Sequence, residues 1–160
     1  MAETSYTVER SQTMRADAAR VFAEVVDFHR WPAWSPWEGL DPAMRRTYSG
    51  APSGVGSVYE WSGNRKAGQG RMEIVSAEQE GPRGTVAVDL RFLKPFKSSS
   101  VTTFTLEPAG EDTRVTWTMV GPQTLATRVM GLFTSMDKMV GKDFDKGLER
   151  LRRLVETPAT

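Results

Sequence analysis

QTLATRVMGLFTSMDKMVGKDFDKGLERLRRLVE, residues 123–156, is the stretch that decides the fold. Within it Leu125, Val129, Phe133, Met136, Val140, Phe144, Leu148, Leu151 and Val155 follow one another at intervals of three or four. At about 100° per residue these positions form one stripe along a helix. Lys138, Lys142, Asp145, Lys146, Glu149, Arg152, Arg153 and Glu156 fall on the other side. The spacing predicts a long amphipathic C-terminal helix whose dry face needs a partner surface. Met130, Met136 and Met139 crowd the upstream half of that face beside Phe133 and Phe144. Methionine is unbranched and polarisable, so it fills irregular space and tolerates a changing guest. Gly131, Gly141 and Gly147 interrupt the helix, each costing about 1 kcal/mol relative to alanine. Gly147 lies on the centre line of the stripe, which implies either close approach of a neighbour or room left for something else.

The partner surface is read upstream. Residues 6–14 alternate loosely and serve as a first strand. Asp17 offers an N-cap or first-turn carboxylate, and Ala18, Val21, Phe22, Val25 and Val26 then repeat at helical spacing. In Phe28-His29-Arg30-Trp31-Pro32-Ala33-Trp34-Ser35-Pro36-Trp37, two prolines stop a regular helix, so a short second helix broken by turns is expected. Its indoles need burial, or they would leave an apolar patch exposed. From Ala43 the period changes to two. Strands are expected at 44–48, 57–61, 70–79, 86–92, 101–106 and 114–120, separated by turns rich in Gly and Pro. Seven strands in all, with short hairpins between a helical pair and one long helix, argue an α+β fold. A twisted sheet of that length curls, and the C-terminal helix is the element long enough to cover its concave face.

Composition narrows the function. At 160 residues one domain is expected, with enough chain to bury a core. The net charge is +1 with both signs scattered and no polybasic run, which argues against nucleic acid or anionic membrane as partner. Cysteine is absent, so disulfides, thiol catalysis and Cys-ligated metals are excluded. The first residues lack the basic start and apolar run of a signal peptide, and no apolar run reaches the ~20 residues of a membrane span. A cytoplasmic protein without stable membrane insertion is expected.

Val21, Phe22 and Asp27, then Trp31, Trp34, Ser35, Pro36 and Trp37, then Gly54, Gly56 and Trp61 come in a characteristic order. Gly70-Arg71-Met72, Phe104-Thr105-Leu106-Glu107-Pro108 and Thr113-Arg114-Val115-Thr116-Trp117 continue it. In that order the chain resembles the START-like, helix-grip superfamily, and within it the polyketide cyclase/dehydrase (SRPBCC) group. The resemblance implies a single domain over residues 1–160. Its curved antiparallel sheet of about seven strands would wrap the C-terminal helix, with two short helices after strand 1 and an elongated cavity between sheet and helix. Inward parity then names the lining: Tyr59, Trp61, Met72, Ile74, Leu90, Phe92, Phe104, Trp117 and Met119 from the sheet. Met130, Phe133, Met136, Val140 and Phe144 come from the helix, and Trp34 and Trp37 would close one end. Such an apolar, aromatic interior suits a polyketide, lipid or isoprenoid-like guest. The same residues also serve the alternative in which they fill the space completely, since interiors pack densely.

Chemistry is sparse. The sole histidine, His29, excludes sites that need several imidazoles, and no His or Cys spacing suits a metal. Gly54-Val55-Gly56 lacks the remaining glycines and following helix of a phosphate loop. Glu60, Glu73 and Asp89 fall on outward parity, and Asp137 and Asp143 flank the helix stripe beside Lys138 and Lys142. Tyr59 is the candidate for moving a proton. The expected role is therefore binding of a hydrophobic small molecule by a monomer or homodimer, with no cofactor and no metal. The alternative is a polyketide cyclase, aromatase or dehydratase that uses one or two polar groups in the same cavity.

Overall fold

In the computed structural model, residues 5–36, 43–64, 68–94, 98–122 and 132–157 are described, apart from the side chains of 5, 6, 98, 122 and 132–139. β1 (Ser5–Met14) leads into α1 (Ala18–Val25) and a 3-10 turn (Phe28–Ala33). Six strands follow: β2 (Arg45–Gly50), β3 (Ser57–Ser62), β4 (Gln69–Glu80), β5 (Arg83–Lys94), β6 (Ser98–Ala109) and β7 (Asp112–Pro122). The chain closes with α2 (Leu132–Glu156). The expected helical residues 123–131 lie outside the described part. No helix among the described residues is long and apolar enough to cross a membrane.

All neighbouring strands are antiparallel, in the order β1-β7-β6-β5-β4-β3-β2. The meander from β2 to β7 is therefore extended by β1, which pairs along the whole of β7. Alternation sets the concave face. Phe104 and Leu106 are buried on β6, whereas Val101 and Val120 project outward and are 47% and 40% exposed. A register shift between Ile74 and Ser76 places Val75 outside and returns Ala77 to the core. Such a bulge bends the strand and adds twist, so it helps the sheet curl round the helix.

The tryptophan segment is anchored to the end of α1. Trp31 Nε1 donates to the Val25 carbonyl at 2.8 Å, and Trp34 Nε1 donates to the Glu24 carbonyl at 3.2 Å. Helix C-termini leave carbonyls without intrahelical partners, and here two indoles satisfy them while their rings enter the core. Asp17 occupies the N-cap position of α1, yet its side chain makes no capping bond. The buried Glu24 carboxylate is held by Arg30 Nη1 at 3.0 Å. At the far end of α2, Arg20 donates to the carbonyls of Leu154 and Val155, each at 3.0 Å, placing a cation at the negative end of the helix. On the solvent side, the hydrogen bond from Arg152 holds the Glu149 carboxyl below its ordinary range, with Arg153 adding to the effect.

Phe144, Leu148, Leu151 and Val155 seat α2 on the concave face. Gly147 permits the close approach that its place in the stripe suggested. A Cβ there would lie 2.8 Å from the Trp117 ring and 2.9 Å from Pro36 Cδ. Gly141 differs, because a Cβ there meets only the guanidinium of Arg10, the mobile end of a long side chain.

Gly147→Ala is therefore expected to destabilise the protein by about 1–3 kcal/mol through overpacking, despite alanine's helix propensity. Gly141→Ala should change stability by less than about 1 kcal/mol, because the Arg10 side chain can move aside. Urea unfolding midpoints of the two variants check the contrast, and equal effects would contradict the close approach at Gly147.

Candidate functional site

Rows of cross-strand partners divide the concave face into two parts. In one row Trp117 pairs with Phe104, which pairs with Val86. Here the interior is sealed. Trp117 stacks on Phe144 with centroids 4.0 Å apart and planes 6° apart, and on Phe104 at 4.7 Å. Trp34 meets Phe104 and Trp117 edge-on at 5.7 and 5.6 Å. Trp34, Phe104, Trp117 and Phe144 have no solvent exposure. Trp34, expected to close one end, instead sits in the middle of this aromatic block.

The neighbouring rows run Val8–Met119–Thr102–Val88–Ile74 and Ser100–Leu90–Met72–Tyr59–Tyr48. Their burial is uneven: Val8 and Val88 are as closed as the aromatic block. Met119, Leu90, Met72 and Tyr59 retain 7%, 6%, 8% and 9% exposure, and Trp61, Phe92 and Val140 are only partly buried. Ile74, by contrast, is fully buried. Trp61 stacks on Tyr59 at 5.9 Å and stands edge-on to Phe92 at 5.5 Å. Its indole lies across Gly70, where a Cβ would collide with it, so the glycine makes space for the ring. These residues form a second zone of the concave face, beside the sealed one. Phe133 and Met136 belong to α2, but their side chains lie outside the described part, as do Trp37 and Met130 altogether.

Two hydroxyls escaped the sequence reading. Ser100 and Thr102 share the inward parity of Phe104 on β6, and both are buried. Thr102 Oγ1 is buried and has no hydrogen-bond partner among the described residues. The signal was present in the alternation of residues 100–106, but threonine reads equally well as an outward strand residue.

A separate surface hollow of about 110 Å³ lies between the 3-10 turn and the β2–β3 hairpin, lined in part by Phe28, His29, Tyr48 and Ser57. His29 stacks on Tyr48 at 4.2 Å, and its Nδ1 is 2.9 Å from Asp27 Oδ1. The hollow is too small for a polyketide or acyl body, since ligand pockets run to about 300 Å³ or more. Among the described residues, no group of three His, Cys, Asp or Glu is placed to hold a metal.

The architecture recurs in solved structures. Protein CV1439 from Chromobacterium violaceum superposes with a TM-score of 0.64 at 15% identity, covering 95% of this chain and 98% of that one. Protein jhp0584 from Helicobacter pylori gives 0.70 at 9% identity, covering 96% and 89%. DynU16, a protein in the dynemicin biosynthetic locus, gives 0.62 at 18% identity, covering 94% of this chain and 47% of its own. At these identities the likeness speaks for the fold. No curated protein matches the chain. The family model described as polyketide cyclase/dehydrase and lipid transport matches residues 5–156, from the first strand to the last turn of α2. With the seven-stranded curved sheet and its covering helix accounted for over that whole span, the chain belongs to the polyketide cyclase/dehydrase and lipid transport family.

Proposed function

We propose that the chain binds a hydrophobic small molecule against the loosely packed zone of the concave face, beside Tyr59, Met72, Leu90 and Met119. The observation that carries this reading is the contrast in packing across one sheet. The aromatic block under Phe144 is closed, whereas Met119, Leu90, Met72 and Tyr59 in the adjoining rows keep a residual exposure of 6–9%. Interiors normally exclude solvent from large apolar side chains, because each unmade contact forfeits dispersion energy. The occupant is flat or chain-like and mostly apolar: a polyketide, a fatty acyl chain or an isoprenoid. Thioethers at Met72 and Met119 adapt to its outline.

Mass spectrometry of the native protein after mild purification, with displacement of a fluorescent fatty-acid probe, tests the proposal. Leu90→Trp should weaken probe binding at least tenfold and leave the unfolding midpoint within about 1 kcal/mol of wild type, because the indole enters free space. If the zone is already full, the same substitution overpacks the core and costs about 1–3 kcal/mol. That result, together with no bound guest, would overturn the reading.

A cyclase-type reaction is the second reading, favoured by the inward parity of the Tyr59 phenol, at the β3 end of the row that Ser100 begins on β6. The Tyr59 phenol would exchange a proton with a bound poly-β-ketone while the apolar walls hold it folded. Tyr59→Phe should then slow turnover of such a substrate about 10²-fold or more without lowering the unfolding midpoint. An unchanged rate removes Tyr59 from the chemistry.

A further inference from the structure

The row Val8–Met119–Thr102–Val88–Ile74 crosses five strands and is apolar at every position except one. Thr102 is 4% exposed, and its hydroxyl has no hydrogen-bond partner among the described residues. Valine has the same branched shape and would fill the position as well, with a better β-strand environment for its methyl. A buried hydroxyl left unpaired costs about 1–3 kcal/mol, so packing gives no reason for threonine here. The residue also stands at a boundary. Phe104, two residues along β6, belongs to the sealed aromatic block, and Ser100, two residues back, faces the looser row beside Leu90.

We infer that Thr102 is the polar anchor of the ligand site, donating or accepting a hydrogen bond to one neutral oxygen of the occupant. The inference rests on the binding reading above and narrows it: the ligand is an oxygenated apolar molecule, a ketone or an alcohol, not a bare hydrocarbon. It enters with the oxygen foremost, because Thr102 lies against the closed block and the looser row accommodates the body. A carboxylate is disfavoured. Arg10 on β1 is partly exposed beside Asp145 and lies in the row of Trp117, not that of Thr102, and a hydroxyl alone does not offset the burial of an anion.

Three probes separate the possibilities: 2-naphthol, naphthalene and 2-naphthoate, each titrated into the full chain by displacement of Nile red, a neutral fluorophore. The wild type should bind 2-naphthol about tenfold more tightly than naphthalene, and 2-naphthoate no better than naphthalene. Thr102→Val should equalise 2-naphthol and naphthalene while raising the unfolding midpoint of the empty protein. Thr102→Ser, which keeps the hydroxyl, should retain the preference and so controls for a packing effect. If Thr102→Val keeps the tenfold preference, the anchor is wrong although the binding site stands. Tighter binding of 2-naphthoate would also overturn the neutral-oxygen assignment. If wild type binds none of the probes and carries no guest, the site itself fails, and the anchor with it.

Discussion

The stack of Trp117 on Phe144 is the contact on which the rest of the molecule depends. It joins β7, next to the edge strand β1, to the long helix at 4.0 Å, and it is possible only because Gly147, one turn on, presents bare backbone to the same indole. Aromatic pairs contribute about 0.5–1.5 kcal/mol beyond their burial, but the geometric consequence matters more here. Once Phe144 is fixed on Trp117, Leu148, Leu151 and Val155 are drawn down in turn, and Trp34 fills the space beside them. The helix is thus held rigidly over one end of the sheet. Arg20 completes the hold by bonding the last carbonyls of the helix from α1.

That arrangement determines where space can remain. An aromatic block with no exposed surface leaves nothing for a guest, which is why the proposed site is put beside Met119, Leu90 and Met72. The residues change character at the same line. Rigid rings alone form the sealed part, with few rotamers to rearrange, whereas Met119, Met72 and Leu90 join Tyr59, Trp61 and Phe92 in the second part. A protein that must keep its fold while accommodating different guests benefits from such a division, because adaptation at one end does not disturb the contact that secures the helix.

Much of this architecture could be read in the sequence because the two periodicities are strong and do not overlap. The three-four spacing of Phe144, Leu148, Leu151 and Val155 predicts the buried stripe, and the alternation of Val86, Val88, Leu90 and Phe92 predicts an inward strand face. Gly147 could be singled out because a glycine on a stripe lacks the side chain its position demands. The position of Trp34 could not be read. Its location follows from a hydrogen bond to Glu24 and from contact with strands some 70 and 83 residues downstream, and no local pattern records either. The bulge at Val75 was hidden for a related reason: one inserted residue inverts parity, and Ala77 is too small to announce the change. The role of Arg20 was equally hidden, since a basic residue on a short helix reads as a solvated one.

The role proposed for Thr102 would set stability against function at a single atom. A sequence selected only for a stable core would place valine among Val8, Val88, Ile74 and Met119, because the hydroxyl there finds no partner within the described protein. The destabilisation is tolerable because the aromatic block and the capped helix ends supply rigidity elsewhere. A lone hydrogen-bonding group in apolar surroundings is also the arrangement that discriminates best. It rejects a guest unable to pair with it by leaving its own polarity unmet, and it contributes little where solvent can compete. On the proposed reading, selectivity would be set less by the shape of the adaptable walls than by whether the guest carries an oxygen at the depth of β6.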